Sequence, residues 1–149
     1  MADRTESSIL VEAAPAGVLD VIADFGAYPD WTGAVRSAEV LEEDENGWAL
    51  TVRFVLDAGA LRDTYTLAYT WDVAEDGTGT VGWTLVEAGV LKAMDGAYRL
   101  QARSGGAATH VTYLLSVELR MPMLGMLRRK AEKTIIDTAL KELKKRAEG

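Results

Sequence analysis

Between Val35 and Leu119 apolar and polar residues alternate in short runs, and only after Pro122 does the period lengthen to that of a helix. An isolated run comes first. From Ser7 to Ala13, Ile9, Val11 and Ala13 fall on one side, with Ser8, Leu10 and Glu12 on the other. This predicts a strand with one better-buried face. Ala14-Pro15 ends it, and Pro15 suits the first turn of a helix whose apolar side is Val18, Leu19, Val21 and Ile22. Ala27-Tyr28-Pro29-Asp30-Trp31 breaks that helix, and a second short turn follows Pro29.

Six further strands follow in series. Val35 to Glu43 is the second, and Asp44-Glu45-Asn46-Gly47 turns the chain with an Asn-Gly hairpin signal. Trp48 to Asp57 is the third, with Trp48, Leu50, Val52, Phe54 and Leu56 on one face. Ala58-Gly59-Ala60 leads into the fourth, where Leu61, Tyr65, Leu67, Tyr69, Trp71 and Val73 share a face against Arg62, Thr64, Thr66, Ala68, Thr70 and Asp72. After Glu75-Asp76-Gly77-Thr78-Gly79, Val81, Trp83 and Leu85 mark the fifth, and Tyr98, Leu100 and Ala102 the sixth. Val86 to Gly96 reads as an irregular connection, because Gly89, Gly96 and Val90-Leu91 fit neither period. Ser104-Gly105-Gly106 turns into the seventh, which aligns Val111, Tyr113, Leu115, Val117 and Leu119. One-sided burial at hairpin spacing favours an antiparallel sheet.

The last element is a single helix from Pro122 to about Ala147. Met123, Leu124, Leu127, Ala131, Thr134, Ile135 and Thr138 lie on one arc, which Ile136, Ala139, Leu140 and Leu143 extend past half the circumference. A curved sheet clasping the helix calls for such an arc. One helix cannot cover the whole apolar face of that sheet, so the arrangement leaves a hollow between them. With no internal repeat, linker or low-complexity segment, residues 1–149 form one domain of the α+β class.

Charge sharpens the picture. The net charge of −7 combines +5 over residues 120–149 with −12 over residues 1–119. An acidic body argues against nucleic-acid binding, which depends on neutralising phosphates. The basic helix offers a face to an acidic carrier protein or an anionic membrane surface. Equally, Lys141, Lys144, Lys145 and Arg146 sit where a helix dipole favours cations. There is no cysteine and one histidine, so disulfides and a His/Cys zinc site are not expected. The first six residues are charged and lack an apolar leader core, and no run reaches the roughly 18 apolar residues of a membrane span. The expectation is a soluble cytoplasmic protein.

Ala13-Ala14-Pro15, Val21-Ile22-Ala23-Asp24-Phe25 with Tyr28-Pro29-Asp30-Trp31, the Thr109-His110-Val111-Thr112-Tyr113 strand and the terminal helix together resemble one family. It is the START and birch-pollen-allergen-like (SRPBCC) superfamily, in its polyketide cyclase/dehydrase and coenzyme-Q-binding branch. The resemblance spans essentially the whole chain. It implies a helix-grip fold: a seven-stranded antiparallel sheet wrapped round the C-terminal helix, with two short helices after strand one. Family activities range from lipid and sterol carriage to polyketide cyclisation and hormone sensing, so the fold leaves the activity open.

The apolar strand faces carry Trp48, Phe54, Tyr65, Tyr69, Trp71, Trp83, Tyr98 and Tyr113. Facing the helix, they line a hollow suited to a flat, mostly apolar ligand with one or two polar handles; packed tightly, the same rings are simply core. Trp31, Met94, Met123, Leu124 and Leu127 are placed for the mouth. Asp63 and Glu87 interrupt apolar faces, and Arg128 and Glu132, four apart on the helix, can pair. His110 falls on the polar face of strand seven, and no nucleophile elbow, dinucleotide fingerprint or P-loop occurs.

The candidate ligand-binding residues are Trp31, Phe54, Asp63, Tyr65, Tyr69, Trp71, Trp83, Met94, Tyr98, Tyr113, Met123, Leu127 and Arg128, with no metal and no cofactor called for. The leading expectation is carriage or sequestration of a lipid, isoprenoid quinone or polyketide-like molecule. The alternatives are a polyketide cyclase or aromatase-dehydratase, for which no acid/base pair stands out, and a solid-cored interaction module.

Overall fold

A computed structural model describes residues 4–57, 62–121 and 125–149. Met123, with Pro122, Leu124, Leu61 and the Ala58-Gly59-Ala60 turn, lies outside the described residues. The strands are β1 (Thr5–Val11), β2 (Val35–Glu43), β3 (Ala49–Asp57), β4 (Arg62–Val73), β5 (Gly79–Ala88), β6 (Leu91–Arg103) and β7 (Ala108–Leu119). They form one seven-stranded sheet in the order β1-β7-β6-β5-β4-β3-β2, antiparallel throughout. The helices are α1 (Pro15–Ala23), α2 (Tyr28–Trp31) and α3 (Gly125–Glu148). This is the sheet, terminal helix and pair of short helices that the sequence predicts.

The order has a consequence. β1 and β2 are successive in the chain yet sit at opposite edges of the sheet. The segment between them must cross the sheet's end, and α1, a 3₁₀ turn at Phe25–Ala27 and α2 make that crossing. Pro15 opens α1, and Val18, Leu19 and Ile22 bury its inner side. Near its end the Tyr28 hydroxyl donates to the Ile22 carbonyl at 2.6 Å, satisfying an acceptor the helix leaves unpaired.

Two hairpins share one design. Asp44 Oδ1 accepts from the Asn46 and Trp48 N–H groups, and Asp76 Oδ1 accepts from the Thr78 N–H and hydroxyl. Asp44 begins its turn and Asp76 is the third residue of the one that starts at Ala74, and in each a glycine takes positive φ, Gly47 at 87° and Gly77 at 91°.

Two irregularities overturn the simple alternation. The β2–β3 register shifts between Val40 and Glu43, so Ala49 is buried and Leu50, expected inside, is 38% exposed. On β5 the register with β4 shifts between Thr66 and Leu67, and Val86 is the extra residue. Beyond this bulge Ala88 packs inward and Glu87 stays in solvent.

The stretch read as an irregular connection, Val86–Gly96, is mostly strand: β5 runs to Ala88 and β6 starts at Leu91, although the two pair with each other only as far as Thr84 and Asp95. Its tip is held by Asp63 on the neighbouring β4. The carboxylate accepts from the N–H groups of Gly89, Val90 and Leu91, each at 3.0 Å, and from Thr64 N–H at 2.9 Å. Burial pushes the Asp63 pKa up, but the four N–H donors outweigh it and hold the carboxyl below its usual value. Asp63→Ala is expected to destabilise the protein by about 1–2 kcal/mol, part of the loss being recovered by water at this half-exposed site. Because the folded pKa is depressed, that contribution is present above the unfolded carboxylate value and disappears as pH falls through the folded one. Urea melts of both proteins at neutral and acidic pH check this: their midpoints should converge in acid, and equal midpoints at neutral pH would refute it.

α3 packs mainly on β1 and β7. Ile136, Leu140 and Leu143 form the buried stripe, continued by Glu132, which is 1% exposed. Glu132 Oε1 accepts from the Thr5 hydroxyl at 2.7 Å, and Oε2 accepts from Val117 N–H at 2.6 Å, just past the last β1–β7 pair. Lys133 Nζ donates to Ser7 Oγ and Lys144 Nζ to the Leu10 carbonyl, fastening the helix along β1. The wide apolar arc is therefore only partly gripped. Leu127, Ala131, Thr134, Ile135 and Thr138 remain exposed beside the packed stripe. The expected Arg128–Glu132 pair does not form, because Glu132 is engaged by β1 and β7. Arg128 instead approaches Glu118 at 3.9 Å.

Candidate functional site

Since α3 covers the β1–β7 side, the inner faces of β3, β4 and β5 face a hollow of about 270 Å³. Its deep wall comes from alternate residues of four strands: Phe54 on β3, Tyr65, Leu67 and Tyr69 on β4, Trp83 on β5 and Tyr98 on β6. Tyr113, Leu115 and Val117 on β7 and Met94 on β6 continue it under the helix. Tyr28 and Trp31 of the crossing segment close one end. Thr134, Ile135 and Thr138 are both exposed and lining, so the hollow opens to solvent along α3.

The rings form a continuous belt. Tyr28 meets Trp31 at 5.0 Å between centroids and Phe54 at 6.0 Å, and Phe54 stacks on Tyr65 at 5.5 Å. Tyr69 and Trp83 lie 5.9 Å apart, and Trp83, Tyr98 and Tyr113 form a mutually contacting trio at 4.7–5.5 Å. Edge and tilted contacts of this kind fix ring orientation as well as burying area.

The polar part of the lining is mostly phenolic. Among the described residues, the hydroxyls of Tyr65, Tyr69, Tyr98 and Tyr113 make no hydrogen bond within the protein, whereas Tyr28 is occupied by Ile22. Burial drives all five phenol pKa values well above their usual value. Neighbouring phenols add to this for Tyr28, Tyr69, Tyr98 and Tyr113, the Asp63 charge for Tyr65, and the Glu142 charge for Tyr98. The four unbonded hydroxyls are therefore neutral donor–acceptors on side chains that line the hollow.

Of the residues singled out from the sequence, Trp31, Phe54, Tyr65, Tyr69, Trp83, Met94, Tyr98 and Tyr113 line this space together. The others do not. Asp63 is committed to the β5–β6 tip. Trp71 is walled off by Phe25, whose ring contacts Phe54, Tyr69 and Trp71, and its indole N–H donates to the Ala49 carbonyl at 2.6 Å. Leu127, 53% exposed, and Arg128 sit on the first turns of α3, outside the lining. His110 lies by Gln101 and Arg103, its Nδ1 3.3 Å from Gln101 Oε1 and away from the hollow.

Several lining residues were not singled out: Tyr28, Leu67, Leu115, Val117, and the α3 group Thr134, Ile135, Thr138, Ala139 and Glu142. A signal for the last group exists. Thr134, Thr138 and Glu142 are spaced by four, a polar row running beside the apolar stripe. Among the described residues no cluster of His, Asp or Glu is arranged to hold a metal. None of the described helices is long and apolar enough to cross a membrane.

A curved sheet clasping a terminal helix over an aromatic hollow defines a START-like, ligand-binding fold. Residues 11–144 match the family described as polyketide cyclase/dehydrase and lipid transport, and the chain belongs to it. Solved structures agree on the fold. A START superfamily protein from Mycobacterium smegmatis is 18% identical with a TM-score of 0.88, covering 99% of this chain and 98% of its own. The ZhuI aromatase/cyclase from Streptomyces sp. R1128 is 19% identical with a TM-score of 0.78, covering 97% of this chain and 93% of its own. A Thermus thermophilus protein, TTHA0849, is 21% identical with a TM-score of 0.75, covering 97% of this chain and 96% of its own. No curated protein sequence matches the chain.

Proposed function

We propose that the chain works as one START-like unit, residues 1–149, that takes up a compact aromatic or otherwise apolar small molecule for carriage or sequestration. The observation that carries this reading is the set of four phenols, Tyr65, Tyr69, Tyr98 and Tyr113, that line the hollow with no hydrogen bond to the protein among the described residues. A core built only for stability pairs its buried polar groups internally. Rings supply the apolar contact, and the hydroxyls supply orientation.

Size narrows the ligand. A cavity of roughly 150 Å³ accommodates benzene, so about 270 Å³ suits a molecule of two or three fused rings. A polyketide-like ring system fits this better than an extended lipid or a full isoprenoid quinone tail, which would have to leave through the mouth beside α3.

The test is native mass spectrometry of protein from its own host, paired with Ala139→Trp. Ala139 lines the hollow from α3, and an indole there occupies the ligand's place. A co-purified small molecule is expected on the natural chain, with occupancy in the variant reduced by roughly tenfold or more. Equal retention by both proteins would place the molecule elsewhere and end this reading.

The likeness to an aromatase/cyclase, together with the converging phenols, supports a second reading in which the hollow folds a tethered poly-keto chain and a tyrosine polarises a carbonyl. The exposed Lys141, Lys145 and Arg146 would then dock an acidic carrier protein, or in the carrier reading an anionic membrane. Turnover of a poly-keto thioester that disappears in Tyr69→Phe selects this reading; binding without turnover selects the first.

A further inference from the structure

Among the described lining residues, Glu142 is the one side chain that is neither apolar nor a neutral hydroxyl or phenol. It sits at the last turns of α3, half-buried, where the helix passes the loop joining α2 to β2. Its Oε2 accepts from the Gly33 N–H at 3.1 Å. Its Oε1 has no partner among the described residues. Trp31 also lines the hollow, as does Thr138 one turn before Glu142 on the helix.

This end of the hollow therefore presents one charged acceptor among neutral rings and hydroxyls. A ligand hydroxyl can donate to Glu142 Oε1. An ether oxygen has no proton to give and sets an apolar group against the carboxylate. A carboxylate ligand puts like charges side by side. The rest of the lining, ring faces and phenols, carries no basic side chain to neutralise such an anion.

We infer that Glu142 selects the ligand's end group, so that the molecule taken up is a compact fused-ring compound bearing a neutral phenolic or enolic hydroxyl. The inference rests on the ligand-binding reading above and goes further by naming the end group and the side chain that recognises it. Glu142 acts here in binding, and no proton transfer or bond change is assigned to it. It also rejects fatty acids and aryl carboxylates of equal size.

The test uses three probes of nearly the same shape: naphthol, its methyl ether and naphthoate. Binding is followed by quenching of the protein's tryptophans, of which Trp31 and Trp83 line the hollow. In the natural chain naphthol is expected to bind about tenfold more tightly than the ether, the worth of a hydrogen bond to a charged acceptor, and naphthoate more weakly than either. In Glu142→Gln, whose amide oxygen can still accept from Gly33, the naphthol-to-ether ratio should fall to about two and naphthoate should gain. A carboxylate that merely fixes the Gly33 loop would change all three affinities together and leave the ratio alone. Equal affinities for naphthol and ether in the natural chain overturn the inference while leaving the cavity reading intact, and that comparison needs no variant to fold. Failure of all three probes to bind overturns the cavity reading instead.

Discussion

Gly96→Ala is expected to cost about 2–3 kcal/mol and to lower the melting temperature by roughly 5–10 °C, although it adds a single methyl group. Gly96 pairs directly across β5 and β6 with Trp83. A Cβ at this position would come within 2.7 Å of both the Leu114 carbonyl oxygen and the Trp83 ring. Neither neighbour can yield cheaply. Leu114 is main chain in β7, which is laddered on both sides by β1 and β6. The indole is boxed in by Tyr69, Tyr98 and Tyr113 at 5.4–5.9 Å. The easiest relief pushes Trp83 into the hollow, so the same substitution should shrink the cavity and weaken uptake of an aromatic probe. Thermal melts and tryptophan emission report the two effects separately. A variant that melts with the natural chain and keeps its emission spectrum would show that the glycine is not needed beneath the ring.

The second large effect lies at alkaline pH. The chain has five tyrosines, and all five phenols are held above their ordinary value of 10.0, chiefly by burial. In the unfolded chain they ionise near that value. The folded state therefore keeps protons that the unfolded state releases. Stability contributed this way is complete below pH 10 and is lost as pH climbs beyond it. Tyrosinate absorbance should stay low through the usual phenol range and then rise together with the loss of near-ultraviolet dichroism, in one transition. Refilling the hollow with a bound aromatic should move that transition to higher pH. Gradual, reversible ionisation of several tyrosines in a protein that stays folded would mean that the belt is open to bulk water, and the case for a sequestered ligand would weaken accordingly.

Period-two alternation was enough to locate the strands, and β2 runs over the residues that the pattern assigns to it. It was enough because those positions obey one local rule. Where a side chain from elsewhere sets the conformation, the pattern was silent. The β5–β6 connection looked irregular because its tip is organised by Asp63, which lies 26 residues before Gly89 in the chain. The polar break that Asp63 makes in an apolar face was legible; that the breaker serves backbone N–H groups was not. Leu50 and Val86 misled for a related reason, since a bulge exchanges the faces of every residue beyond it and leaves no signature in hydropathy.

The candidate site was legible in its strands and poorly legible in its helix. Aromatics on alternating positions of β3 to β7 announced the wall. On α3 a single wide arc concealed two functions, and Glu142 was not singled out because only its contact with Gly33 and its place on the lining distinguish it from Lys141 or Lys145. Arg128 and Leu127 attracted attention by breaking or extending that arc, and their place on its first turns kept them away from the wall.

α3 carries its anchoring residues and its cavity residues on separate rows. Ile136, Leu140 and Leu143 face β1 and β7, while Thr134, Thr138 and Glu142 face the opening. Substitutions on one row leave the other's neighbours untouched, and effects at such independent positions tend to add. A lineage carrying this helix can thus exchange one cargo for another through changes spaced a turn apart, without first acquiring spare stability to absorb them.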